Sequence, residues 1–318
     1  MKQLLVSIAI VFASVLTVGG QNSSFSLSGT WDFQIDRQDA GVKEQWFNKS
    51  LDESINLPGS MPEKLKGDEV TAKTQWTGSL YDSSYYYNPY MEKYRKEGNI
   101  KFPFFLTPDK HYVGAAWYQK EVNIPADWKG ERILLFLERP HIETTVWVNG
   151  QKTGMQNSLC VPHQYDITHY VRPGKCTITI RVDNRIKEIN VGPDSHSITD
   201  QTQGNWNGIV GRICLQTTPK TYFDDIQIYP EPEQKLARVK VVIKGTGTAK
   251  VKLSAESFNT DKKHIVPAIQ QEIKLNKGVT ETEMVLPMGN DMLLWDEFHP
   301  ALYKLKAEVT NGKKTEIK

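Results

Sequence analysis

A chain of 318 residues is long enough for two globular units, because a single core rarely outgrows about 250–300 residues. Lys and Arg number 39 against 37 Asp and Glu, and this near balance, a net charge of +2, excludes a broad basic face for nucleic acid and an acidic tail. With 39% hydrophobic and 10% aromatic residues, the composition is that of packed domains, and eight Trp and thirteen Tyr lean towards sheets and sugar stacking.

The N-terminus carries Lys2, an apolar run from Leu4 to Val18, and then Gly19 and Gly20. This pattern predicts a secretory signal peptide over residues 1–20. The apolar run is shorter than the roughly 20 residues that span a bilayer, which disfavours a membrane anchor, and no Cys stands at the cut to carry a lipid. The processed chain is therefore expected to be exported, periplasmic or secreted, without membrane association.

Strands and turns follow almost throughout, so the fold class expected is all-β. Between about Glu63 and Lys110 the alternation lapses into a long insertion, of the kind that is usually functional or poorly ordered. Tyrosines at 81, 85, 86, 87, 90 and 94 argue for order there, and Asn88-Pro89 with Gly98 as a stop predicts a two-turn helix. "RILLFLE" (Arg132 to Glu138) is apolar on both faces, as a central sandwich strand is. "TTVWVNGQKTG" (Thr144 to Gly154) places Asn-Gly after a β-rich run and predicts a two-residue hairpin. In "TITIRVDN" strict alternation puts Ile178, Ile180 and Val182 on one core-facing side. Trp117, Trp128 and Trp147 lie within such strand motifs and are assigned to the core. From Pro219 onward, five or more short alternating strands separated by Gly, Pro and Asn turns read as an immunoglobulin-like sandwich.

Cys160, Cys176 and Cys214 are odd in number, so at least one is unpaired. A Cys160–Cys176 bridge and three buried thiols both fit. There is no CxxC and no HExxH, and His111, His141, His163, His169, His196, His264 and His299 lack metal-ligand spacing, so no metal or cofactor is expected.

Eight pieces, in order, resemble the N-terminal half of glycoside hydrolase family 2, the β-galactosidases, β-glucuronidases and β-mannosidases. They are "LSGTWDFQID" (27–36), "INLPGSM" (55–61), "AWYQKEVNIPADWKGERILLFLE" (116–138), "VWVNGQKTG" (146–154), "YDITHYVRPG" (165–174), "ITIRVDN" (178–184), "WNGIVGRICL" (206–215) and "LWDEFHPALYKL" (294–305). The resemblance implies a jelly-roll sugar-binding domain over 21–218, with its insertion at about 63–110, and an immunoglobulin-like domain over 219–318. In the family a (β/α)8 barrel follows, carrying two catalytic glutamates about 5 Å apart. Asn311-Gly312 opens a hairpin whose return strand has only "KKTEIK", so the chain is expected to be a non-catalytic front portion that works with a barrel chain or domain on a β-linked glycan. The competing expectation is a free-standing carbohydrate-binding or adhesion protein that uses the tyrosine-rich face.

No catalytic residues are assigned. Asp224-Asp225 and Asp296-Glu297 read as solvated turn pairs, and no nucleophile elbow occurs in "NSLC" or "PDSHS". The resemblance does imply substrate-contact positions. His111 falls where the family's β-galactosidases place an Asn, and is either a contact at the barrel mouth or a structural loop histidine. Counting back from Trp206, the galactosidase Asp position falls on Gly204, with Asp200 the nearest acid. Asn205, Trp206 and Asn207 are read as sugar contacts, as docking residues for the barrel, or as structural caps. Tyr86 and Tyr87 either present rings to a sugar or pack the insertion. Gly208 and Gly211 are read as turn or bulge residues.

Overall fold

The computed structural model describes residues 23–78, 83–103, 106–187, 195–196, 198–201 and 204–318. The signal segment 1–20 and Tyr81 lie outside the described residues. Two compact units separate at residue 218, one Ser23–Thr218 and the other, among the described residues, Pro219–Lys318.

The first unit is built on β1 (Ser24–Ser26), β2 (Gly29–Asp36), β3 (Glu53–Leu57), β4 (Gly59–Ser60), β5 (Asp68–Glu69), β6 (Lys110–His111), β7 (Ala115–Ile124), β8 (Arg132–Pro140), β9 (Glu143–Val148), β10 (Gln151–Asn157), β11 (His163–Asp166), β12 (Gly174–Asp183) and β13 (Gly208–Thr218). Among the described residues, one antiparallel sheet runs β1-β13-β8-β11, with β4 also on β13, and a second runs β10-β9-β12-β7-β2-β3. Leu135, Leu137, Ile213 and Leu215 of the first face Phe33, Tyr118, Val146, Ile178 and Ile180 of the second in one core. Period-two alternation is what makes this sandwich: each strand gives alternate side chains to the shared interior. β8 lies between β13 and β11, as its two-sided apolar run demands. The Asn149-Gly150 hairpin forms with both residues at positive φ, and Val148 pairs with Gln151. Trp117, Trp128 and Trp147 are buried, although Trp128 sits in a 3-10 turn (Ala126–Trp128) rather than a strand.

β12 departs from the one-core reading. Ile178, Ile180 and Val182 point into the core, but Thr179, Arg181 and Asp183 on the opposite side are also buried. Around Arg181 and Asp183 gather Asp39, Glu143, Arg185 and Lys187 in a network of ion pairs. Beside it Trp46, Phe47 and Leu51 close over Trp117 and Trp147.

Gly208 and Gly211 behave as their positions suggest. Gly211 has φ +76° at the irregularity where β13 slips against β8. A Cβ on Gly208, at φ +143°, would lie 2.5 Å from the Gly59 carbonyl oxygen and 2.8 Å from Ser60 Cα. Those are backbone atoms that cannot swing away. Gly208→Ala is therefore expected to cost about 2 kcal/mol or more, read as a lowered thermal midpoint.

In the insertion, Asn88 does start a turn, its side chain accepting from Tyr90 N, but the turn is a 3-10 helix over Pro89–Tyr94 instead of two α turns. It is preceded by the short α1 (Ser84–Tyr87). Lys101 N donates to Tyr94 O, folding the chain back before a longer helix forms.

The second unit contains β14 (Tyr222–Glu231), β15 (Leu236–Phe258), β16 (Ile265–Pro287), β17 (Leu302–Asn311) and β18 (Lys314–Ile317). Its architecture is an immunoglobulin-like sandwich with fewer, longer strands than the turn signals suggest: β15 and β16 have 23 residues each. Gly245 and Gly247 make a register shift within the ladder and do not end it. The first half of β15 pairs with β14 and the second half with β17, yet Val239, Val241, Val251 and Leu253 from the two halves share one core.

Cys160 is exposed and Cys176 and Cys214 are buried; all three are free, so neither the Cys160–Cys176 bridge nor a fully buried trio is found. Burial pushes the Cys176 thiol up to about 11, with the charge of Glu121 adding to it.

Candidate functional site

The loop entering β13 and the turn entering β7 meet at one end of the jelly-roll. Asp200 is buried there, and both of its oxygens are engaged: Oδ1 accepts from Asn205 N at 2.7 Å, and Oδ2 accepts from Thr77 N at 2.6 Å. The ring Nε2 of His111 lies 3.3 Å from Oδ2. In return, Asp200 N donates to Thr77 O, so the insertion and the loop are tied at two points. Asn205 Nδ2 adds bonds to Thr77 Oγ1 and Asn184 O.

Asn207 is likewise spent within the domain. Its Nδ2 donates to Gly114 O and Val182 O, and its Oδ1 accepts from the Tyr118 hydroxyl. Asn184 completes the clamp, accepting from Gly114 N and donating to Tyr112 O. Each bond satisfies a backbone group of the Tyr112–Gly114 turn that burial would otherwise leave unpaired.

Trp206 is different. Half-buried, it stacks on His141 with centroids 4.5 Å apart and 24° between planes. On one side its indole borders a cleft of about 680 Å³ with Ser60, Glu63, Leu106 and Asn205, and on the other a cleft of about 460 Å³ with Glu138, Arg139 and Pro162. Burial pushes His141 down to about 4; the Asn205 side chain, its hydrogen-bonding neighbour, and the charge of Asp200 oppose the shift. Neither His141 Nε2 nor Asn205 Oδ1 has a well-aligned partner.

Tyr86 and Tyr87 stand on α1 with their rings exposed, as does Tyr90 beyond it, whereas Tyr85 is buried. Tyr85 stacks on Phe102, Phe102 meets Trp76, and Trp76 meets His111. Tyr86 packs edge-on against Tyr85. This file of rings connects the tyrosine cluster to the His111–Asp200 pair, so the structure brings all seven sequence-selected residues into one neighbourhood. Sequence reading did not single out Thr77, His141 or Asn184. Asn184, directly after the last residue of β12, had a signal in its position, whereas Thr77 and His141 had none.

One pair of carboxylates does converge. Lys187 Nζ lies 2.9 Å from Glu143 Oε1 and 2.8 Å from Asp183 Oδ2. Burial alone would raise the Asp183 pKa, but hydrogen bonds from Arg185 and Lys187 and the charge of Arg181 hold it well below the usual carboxylate range. A general acid must keep a proton near the working pH, and this group cannot. Asp224 pairs with Lys244, and Asp296 caps the backbone of Phe298 and His299 in an exposed turn.

Residues 25–219 match the family description "Glycosyl hydrolases family 2, sugar binding domain", and residues 221–318 match "Glycosyl hydrolases family 2". The chain belongs to glycosyl hydrolase family 2. Among relatives in that family, human beta-glucuronidase is 25% identical over 89% of this chain and 41% of its own length. The beta-galactosidase large subunit of Latilactobacillus sakei is 24% identical over 94% of this chain and 46% of its own length. Two solved structures, the beta-glucuronidase of an uncultured Clostridium sp. and that of Ruminococcus gnavus without ligand, superpose with TM-scores of 0.59 and 0.60 at 20% and 19% identity. Each covers 93% of this chain, and the chain covers 44% and 45% of them. The family 2 chain thus spans less than half the length of these relatives.

Proposed function

We propose that this chain is the non-catalytic N-terminal portion of an exported family 2 exo-β-glycosidase in carbohydrate degradation, framing the active site of a barrel chain or domain and contacting the terminal sugar. The observation that carries the reading is the match itself. It runs through the sugar-binding and immunoglobulin-like parts of relatives named beta-glucuronidase and beta-galactosidase, and more than half of each remains uncovered. The ion-paired state of Glu143 and Asp183 supports the absence of independent acid–base chemistry. Purified chain is expected to show no turnover of nitrophenyl β-glycosides; clear turnover abolished by replacing a single carboxylate would overturn the reading.

Exposed Tyr86, Tyr87 and Tyr90 favour a second reading, a free-standing carbohydrate binder. Calorimetry against a glycan panel separates the two. Micromolar affinity that falls on Tyr87→Ala favours the binder, and millimolar or no binding by these rings favours the accessory role.

A further inference from the structure

We propose that the 460 Å³ cleft beside Trp206 binds an acidic sugar, a hexuronate residue of a glycan, with the indole as stacking platform and the Arg139 guanidinium as partner of the carboxylate. The inference goes beyond the accessory role and does not depend on it. A cleft of this size lies within the range of about 300–1,000 Å³ in which small ligands are held. Its wall combines apolar Leu159 and Pro162 with the charged Glu138 and Arg139, and His141 and Trp206 complete it.

Two features make it a built surface. Trp206 is held in place from behind by the buried ring of His141, so an aromatic face is presented without the entropy cost of ordering it. Pyranose C–H groups pack on such a face, as other apolar groups do. The charges are also unequal. Glu138 Oε2 accepts from Arg212 N at 2.8 Å and from Arg212 Nε at 2.9 Å, so those two charges cancel. Arg139 lies exposed on β8, opposite Val210 of β13, and makes no ion pair among the described residues. The cleft therefore carries one uncompensated cation. A guanidinium offers a planar fork that a carboxylate fills with two parallel hydrogen bonds, a geometry that a neutral hydroxymethyl group cannot reproduce.

The test is calorimetry on the full chain with a glucuronate-containing disaccharide and its carboxyl-reduced, neutral counterpart. The acidic sugar is expected to bind about tenfold more tightly, with the difference shrinking at high salt. Arg139→Gln, at an exposed position, is expected to remove the preference while leaving neutral-sugar affinity unchanged. Trp206→Ala, checked for folding by circular dichroism, is expected to weaken both sugars together. Equal affinity for the two sugars, a preference that survives Arg139→Gln, or binding of neither sugar overturns the proposal. These readouts are binding constants, and so are separable from the turnover assay that tests the accessory role.

Discussion

Asp200→Ala is expected to cost the jelly-roll domain about 3–5 kcal/mol, the range for removing one partner from a buried, hydrogen-bonded charge. The carboxylate is 1% exposed, and its loss strands the backbone donors of Thr77 and Asn205 and leaves His111 without its acceptor. Each stranded buried donor carries a penalty of about 1–3 kcal/mol. Asp200→Asn keeps the volume but turns an amide towards a donor, so an intermediate loss is expected. Urea unfolding measures both, as a lower midpoint at unchanged slope. If Asp200 served only to touch a ligand, the alanine variant would unfold like the parent, within about 0.5 kcal/mol.

Stability is expected to fall as pH drops from about 6.5 to about 4, by about 3 kcal/mol from His141 alone. The sign follows from where the proton binds. His141 titrates near 4 in the folded domain because burial disfavours the imidazolium, and near 6.5 once unfolded. Between those values only the unfolded chain takes up the proton, so the contribution is intact above pH 6.5 and fully lost below about 4. Asp200 and Asn205 temper the shift from one side, and Glu138 and Arg139 line the cleft on the other. His163, also lowered by burial, acts in the same window, but it is common to the parent and a His141→Gln variant. The difference between their pH–stability curves isolates His141. Parallel curves would show that His141 does not carry the effect. Asp183, depressed by its cations, is expected to lose its contribution only at more acid pH.

Much of the sandwich was legible because it rests on short-range pattern. The Asn149-Gly150 turn, the two-sided β8 and the inward Ile178, Ile180 and Val182 need only alternation and turn chemistry. What escaped depends on distant partners. Arg181 reads as a polar interruption until Asp39, 142 positions away, closes on it at 2.6 Å. Asp200 reads as a loop acid until Thr77, separated from it by 123 positions, donates to it. Gly245 and Gly247 read as strand ends because glycine marks turns and bulges alike, and only the partner strand β16 decides which. At the candidate site, chain order pointed to Asp200, Asn205, Trp206 and Asn207. The sequence did not say that Asn207 and Asp200 face inward to hydrogen bonds while Trp206 keeps a side towards two clefts.

The 23-residue strands β15 and β16 have a consequence for how the second unit comes apart. Because one covalent ribbon serves both β14 and β17, and both halves fill the same core, neither layer can peel away without exposing the interior of the other. The unit has no natural seam, and its opening is all-or-none.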